Sequence, residues 1–100
     1  MKIYSKTELA TMNKAQLSTI QEECNTLIEK FKSYLDDAED WEFFYEVCAR
    51  FDKKMNAAKT EEECHEIYIN YLWRLQVQAN DALNHYLLTI NFLDVAKLLK

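Results

Sequence analysis

The chain has 100 residues, of which 49% are hydrophobic and 29% are charged, and its net charge at pH 7 is −5. This composition is typical of a globular domain and argues against disorder, and the length suits one modest core, so we expect residues 1–100 to form a single domain. The acidic balance disfavours direct nucleic-acid binding, and no apolar run is long enough to span a bilayer.

The sequence contains neither glycine nor proline. Tight β-hairpins depend on glycine at positive φ, and turns often use proline. Helices joined by polar connections are therefore the expected result. The N-terminus lacks the apolar core of a signal peptide, and three cysteines in unpatterned positions favour a reducing compartment. We predict an all-α protein of the cytoplasm.

The first part of the chain predicts a short helix followed by a long one. Ser5 and Glu8 have the spacing of a capping box, and Asn13 with Gln16 repeats that spacing before the second helix. Over 14–35 the apolar residues recur every three or four positions, which is typical of one helix face. This stripe consists of Leu17, Ile20, Cys24, Leu27, Phe31 and Tyr34.

An acidic run follows, and it forms the predicted connection to the next helix: Asp36, Asp37, Glu39, Asp40 and Glu42. Carboxylates are favoured at the start of a helix by the helix dipole, so a solvated connection is one interpretation. The other is a patch that docks a basic surface of a partner. The helix after it carries its apolar stripe at Trp41, Phe44, Cys48, Phe51, Met55 and Ala58.

The third long helix is predicted to begin at a capping box formed by Thr60 and Glu63. Asn80 and Asp81 could end this helix, or it could run on. Asn91 offers a cap for a last short helix. Together these segments predict an up-down-up bundle of three longer helices, with short helices at the N- and C-terminal ends.

The third long helix is apolar on almost every side over residues 67–77. Its broad face carries Ile67, Tyr68, Tyr71, Leu72 and Leu75, and a second stripe carries Ile69, Trp73 and Val77. Asn70, Arg74 and Gln78 leave a narrow polar strip. A helix of this kind is usually buried on more than one side. The second stripe is either covered by a short helix of the same chain or is an interface. We predict a homodimer that packs two of these helices around Trp73.

The residues capable of chemistry do not form a recognisable site. Cys24, Cys48 and Cys64 lie on or near core stripes, where cysteine packs as a small hydrophobe. Adding His65 or His85 would complete a zinc ligand set, but the close pairs typical of zinc sites are missing. We therefore predict core packing for the three thiols and no bound cofactor.

Two catalytic patterns are incomplete. Glu62 and His65 have the Glu-x-x-His spacing of di-iron bundles, but a site of that kind needs a second copy. A phosphate-cradling loop requires glycine, and no nucleophile, base and acid occur together in a recognisable arrangement. We predict that the protein is not an enzyme.

Three functions remain in order of preference. The leading hypothesis is a protein that acts by contact with another protein. In size, acidity and helical content it is similar, as a class, to the small proteins with which phages and mobile elements inhibit host CRISPR or restriction complexes. The first alternative is a small dimeric DNA-associated transcriptional regulator, although its candidate recognition helix opens with glutamates. The second is a metal- or thiol-based redox protein.

Overall fold

A computed structural model describes residues 2–32 and 38–98, with side chains over 2–32 and 41–90. Four α-helices occupy these ranges: α1 is Lys6–Ala10, α2 is Lys14–Phe31, α3 is Ala38–Ala57 and α4 is Glu61–Leu98. The described residues contain no strand, so the predicted all-α class is confirmed. The predicted last turn of α2 lies outside the described residues.

Capping boxes start α1 and α2 at the predicted residues. The Ser5 hydroxyl accepts a hydrogen bond from the Glu8 backbone N–H at 3.1 Å, and the Glu8 carboxylate accepts one from the Ser5 N–H at 3.2 Å. Asn13 and Gln16 form the same reciprocal pair at 2.8 and 3.0 Å. Each box therefore satisfies backbone N–H groups that have no partner within the helix.

The start of α4 follows the same chemistry with one difference. The Thr60 hydroxyl accepts a hydrogen bond from the Glu63 N–H at 3.1 Å, as predicted. The Glu63 carboxylate accepts a hydrogen bond from the N–H of Lys59 at 3.1 Å, one residue before the position expected in a capping box. The start of α4 is therefore held by both side chains.

The predicted separate C-terminal helix is wrong, because α4 runs without a break from Glu61 to Leu98. Asn80 and Asp81 lie inside α4, and so does Asn91, the predicted cap. Asparagine and aspartate cost a helix interior only about 0.7 kcal/mol each relative to alanine, whereas proline costs about 3 kcal/mol. Burial of the neighbouring Ala82 outweighs so weak a local preference.

The core is built around α4. Four of its apolar side chains have no exposed surface, namely Leu72, Leu75, Ala79 and Ala82. The predicted α2 stripe is buried at Leu17, Ile20, Cys24 and Phe31, and α2 also buries Ile28. From α3, Phe44 is buried, while Trp41, Cys48, Phe51 and Met55 are half-buried. The apolar periodicity of the sequence therefore identifies the inward face of each long helix.

Contacts along α4 give the order in which the other helices pack on it. Tyr68 donates a hydrogen bond to Gln21 of α2 at 2.5 Å, and farther along both helices Phe31 stacks on Tyr86 with ring centroids 4.4 Å apart. On α3 the order is reversed, because Phe51 stacks on Tyr71 whereas the earlier Trp41 packs against the cluster that contains Ala82.

The molecule is elongated, with principal extents of 61 × 26 × 18 Å. At about 1.5 Å per residue, the 38 residues of α4 account for nearly all of the long dimension. The radius of gyration is 16.3 Å, compared with about 13 Å for a compact domain of this length. The shape follows from one helix that is much longer than its neighbours.

Candidate functional site

The segment before α1 is fastened to α4 by one buried side chain. Gln76 has no exposed surface, and its amide oxygen accepts a hydrogen bond from the Tyr4 backbone N–H at 2.9 Å. The Gln76 amide nitrogen donates to the Tyr4 carbonyl at 3.1 Å. One side-chain amide therefore satisfies both backbone groups of an extended residue, and this contact positions the start of α1 along α4.

α1 covers part of the predicted second stripe. Ile69 is 6% exposed and belongs to the core cluster, together with Leu9 of α1. Trp73 is half-buried against that cluster, and the ammonium of Lys6 lies 5.2 Å from the centroid of its ring. Val77 is also half-buried. Ile69 therefore contributes to packing within the chain, and the interface role of Trp73 and Val77 stays a prediction.

The most exposed apolar side chains of α4 lie beyond this covered region. Leu87 is 47% exposed and Leu88 is 65% exposed. Val77 and Leu88 are eleven positions apart, which is close to three helical turns. Leu88 therefore lies on the same side of α4 as Val77. The sequence analysis missed these leucines because it left open whether the helix continued past Asn80. We call the face formed by Leu87 and Leu88 the leucine surface.

The acidic run is described only in part. Asp36 and Asp37 lie outside the described residues, and so do the side chains of Glu39 and Asp40, whose backbone belongs to the first turn of α3. Glu42 is exposed. A position at the start of α3 agrees with the preference of carboxylates for a helix N-terminus, and docking of a basic partner by this run stays a prediction.

The outer side of the α3–α4 contact forms a groove that the sequence analysis missed. Its volume is about 190 Å³, and its lining consists of Val47, Arg50, Phe51, Lys54, Ile67, Asn70 and Tyr71. One helical turn beyond Asn70, the guanidinium carbon of Arg74 lies 4.9 Å from the centroid of the Phe43 ring. We call this feature, including Arg74, the α3–α4 groove. It collects both arginines of the chain.

The thiols differ in their surroundings. Cys24 is buried, and burial raises the pKa of its thiol to about 11, with a further contribution from Glu23. The Cys48 sulfur lies 4.0 Å from the Tyr71 hydroxyl, and burial raises the pKa of both groups, that of Tyr71 to about 12. Cys64 is half-buried. All three are free cysteines, and the packing predicted for Cys24 is confirmed.

Glu62, Cys64 and His65 line an open cleft of about 900 Å³ where the N-terminal end of α2 meets the start of α4. Apart from Cys64, these side chains are exposed. Across the described residues, no three side chains of histidine, cysteine, aspartate or glutamate come together as a group that could hold a metal ion. The cleft therefore adds no ligand set to the incomplete sequence pattern.

Comparison of the chain with protein-family models, with curated proteins and with solved structures gives no match. In the part of the chain that the structure describes, no helix is long and apolar enough to cross a membrane. The function therefore has to be argued from the exposed apolar side chains and the charged groove of this chain.

Proposed function

We propose that the protein is not an enzyme and that it acts by contact with other proteins, with the leucine surface as a principal contact surface. The observation that supports this proposal is the exposure of Leu87 and Leu88, 47% and 65%, on a helix that continues to Leu98. Neighbouring apolar side chains left in water on one helix are a feature of protein interaction sites.

Covering the leucine surface should contribute a large free energy of binding for only two side chains. Complete burial of an exposed leucine contributes about 1.5–3 kcal/mol, so the exposed parts of two leucines contribute on the order of 2 kcal/mol. In a symmetric dimer the same surface is used twice, which doubles this contribution. A few such side chains commonly dominate the binding energy of an interface.

The scaffold for this surface is, in our proposal, an up-down-up bundle of α2, α3 and α4. The opposite order of the α2 and α3 contacts along α4 supports this arrangement. α4 extends twelve residues past Tyr86, where the described part of α2 makes its last ring contact, and twelve helical residues span about 18 Å. Leu87 and Leu88, which are already exposed on this segment, can meet a second chain without any rearrangement of the core.

A second copy of the chain is the first partner to consider. The predicted homodimer packs around Trp73, but Ile69 is already buried within its own chain and Lys6 of α1 lies over the Trp73 ring. We therefore propose that two α4 helices meet at the leucine surface, with Val77 and the accessible edge of Trp73 at the margin. Inhibition of a host complex is one setting in which such a contact would act, and it stays a prediction.

Sedimentation velocity of the wild-type chain and of the double variant Leu87→Glu, Leu88→Glu tests this proposal. We expect the wild type to self-associate and the double variant to sediment as a monomer, since two carboxylates facing two others would have to be buried unpaired. Asn25→Glu is the matched control, because Asn25 is an exposed residue of a different helix, α2. It should leave the association unchanged.

Circular dichroism distinguishes loss of contact from loss of folding, because glutamate is a good helix former and both variants should keep their helicity. A wild-type chain that remains monomeric at every concentration contradicts the homodimer. Equal partner recovery by the wild type and the double variant, in a pull-down from the native host, contradicts the leucine surface.

A further inference from the structure

The α3–α4 groove combines cationic side chains with an apolar floor. Arg50 and Lys54 lie on α3, Asn70 lies on α4, and Arg74 follows Asn70 on the same face. This local excess of positive charge stands on a chain whose net charge is −5, and it includes both arginines. Arginine binds carboxylates through a planar set of donors, which makes the groove suited to an anionic partner group.

The donors of the groove are only weakly engaged by the chain itself. Arg50 has one ion pair, to Glu46 at 3.6 Å, and both side chains are about two-thirds exposed. Exposed pairs of this kind contribute about 0–1 kcal/mol, so a second carboxylate can share the guanidinium. Among the described residues Lys54 makes no ion pair. Asp52, which contributes to raising the pKa of Tyr71, is the other carboxylate near the floor.

Arg74 is the most constrained of the three cations. Its guanidinium stacks on Phe43, and its Nε is buried with no hydrogen-bond partner. It is the only side-chain nitrogen or oxygen in the described part of the chain that is buried in this way. A partly desolvated cation binds an anion more strongly than one surrounded by water.

The floor determines what else the partner must carry. Val47, Phe51 and Ile67 are half-buried and form the apolar part of the lining. A cavity of about 150 Å³ is known to hold a benzene-sized group, so the 190 Å³ of the groove accommodates one large apolar side chain. Phosphate backbones offer no such group, and a chain with a net charge of −5 repels a long polyanion.

We infer that the α3–α4 groove binds an acidic segment of a protein partner, with one large apolar side chain on the floor and flanking carboxylates at Arg50, Lys54 and Arg74. This inference deepens the proposed function by naming the chemistry of a partner. It uses a different segment of α4 from the leucine surface, since Arg74 and Leu87 are 13 positions apart, or about 20 Å along the helix, so either surface can fail its test without the other.

Side-chain NMR of the full-length protein tests the inference directly. The chain has two arginines, so it has two Nε–Hε signals, and both belong to the groove. The probe is a blocked pentapeptide with a central leucine flanked on each side by two glutamates. We expect both arginine signals to shift in a saturable way. The matched peptide with lysine in place of glutamate should leave them unmoved.

Two adjacent lysines supply matched variants. Lys54 lines the groove, whereas its exposed neighbour Lys53 does not. Lys54→Gln should weaken binding of the acidic peptide about three- to five-fold, the upper part of the range expected for one exposed ion pair. Lys53→Gln removes the same charge and should change the affinity by less than about two-fold, through long-range electrostatics alone.

Each alternative outcome overturns the inference. Arginine signals that stay in place at peptide saturation of the sample, or equal losses for Lys53→Gln and Lys54→Gln, show that the groove does not bind the acidic segment. A short DNA duplex that shifts both signals and displaces the peptide assigns the groove to nucleic acid instead. Self-association through the leucine surface is measured separately and decides the proposed function by itself.

Discussion

The two halves of α4 have similar apolar character in sequence and different surroundings in the structure. In the first half, Leu72 and Leu75 have no exposed surface, because α1, α2 and α3 all pack on this region. In the second half, Leu87 and Leu88 are 47% and 65% exposed. The same residue type is thus a core residue in one half and a surface residue in the other. What differs is the number of helices available to cover it.

The largest effect expected from this comparison is on stability. Leu75→Ala should lower the free energy of unfolding by about 2–5 kcal/mol, because it removes buried methyl groups and leaves a cavity. Leu88→Ala, at a 65% exposed position, should change it by at most about 0.5 kcal/mol. Urea denaturation followed by circular dichroism measures both. Similar losses in the two variants would show that the second half of α4 is covered as well as the first.

A smaller effect on stability is expected at Gln76, where the N-terminal segment is hydrogen-bonded to the first half of α4. Gln76→Ala removes both hydrogen bonds to the Tyr4 backbone, and we expect a loss of about 1–3 kcal/mol. Hydrogen exchange at the Tyr4 amide should accelerate together with this loss.

Gln78 provides the control for that experiment, since it is also buried in α4 but makes no bond to Tyr4. Gln78→Ala should leave the Tyr4 amide protected relative to global unfolding. Unchanged exchange at Tyr4 in Gln76→Ala would mean that packing of Leu9, and not the amide, holds α1 in place.

Alkaline pH should lower the free energy of unfolding through Cys24, which lies on α2 in the core that covers the first half of α4. The thiol of Cys24 has a pKa of about 11 in the folded chain and an ordinary value of 9.0. The unfolded chain therefore releases this proton first, so stability is complete below pH 9 and is lost as the pH rises toward 11. At pH 10 the loss from this group is about 1.4 kcal/mol. Urea titrations at pH 8 and pH 10 measure it. Cys24→Ala should show a smaller decrease than the wild type, and an identical decrease would assign the effect to other groups.

The smallest effects on stability are expected at two residues that the sequence predicts to be helix caps, Thr60 and Asn91. Thr60→Ala should cost about 1 kcal/mol, because the Thr60 hydroxyl accepts a bond from the Glu63 N–H at the start of α4. Asn91→Ala should be neutral or stabilising by about 0.5 kcal/mol, since Asn91 lies inside the helix and alanine is the better helix former. Thermal unfolding measures both. A loss of stability in Asn91→Ala would restore the separate C-terminal helix.

Much of the fold could be predicted from local patterns. The boxes at Ser5 and Asn13 depend on hydrogen bonds between residues three positions apart, so a short stretch of sequence contains all the information they need. The inward faces of α2 and α4 follow from helical periodicity in the same way. The end of α4 could not be predicted, because Asn80 and Asp81 favour a break only weakly and burial at Ala82 decides against it.

The candidate sites, too, could be predicted from the sequence only in part. The sequence identified Ile69, Trp73 and Val77 as one stripe, but periodicity does not say which element covers a stripe, and here α1 covers Ile69. The α3–α4 groove left no signal in the sequence, since Arg50 and Asn70 are 20 positions apart and line one groove only because α3 and α4 pack together.

By itself the amino-acid sequence determined that this chain is helical, where three of its helices begin and which faces turn inward. These properties depend on neighbours within about four residues, whose geometry a helix makes regular. Only the tertiary structure decided that α4 is continuous, that α1 packs on α4 with Lys6 over Trp73, and that Arg50 and Asn70 line one groove. These contacts join residues distant in sequence, and their energies depend on burial, which no local pattern contains.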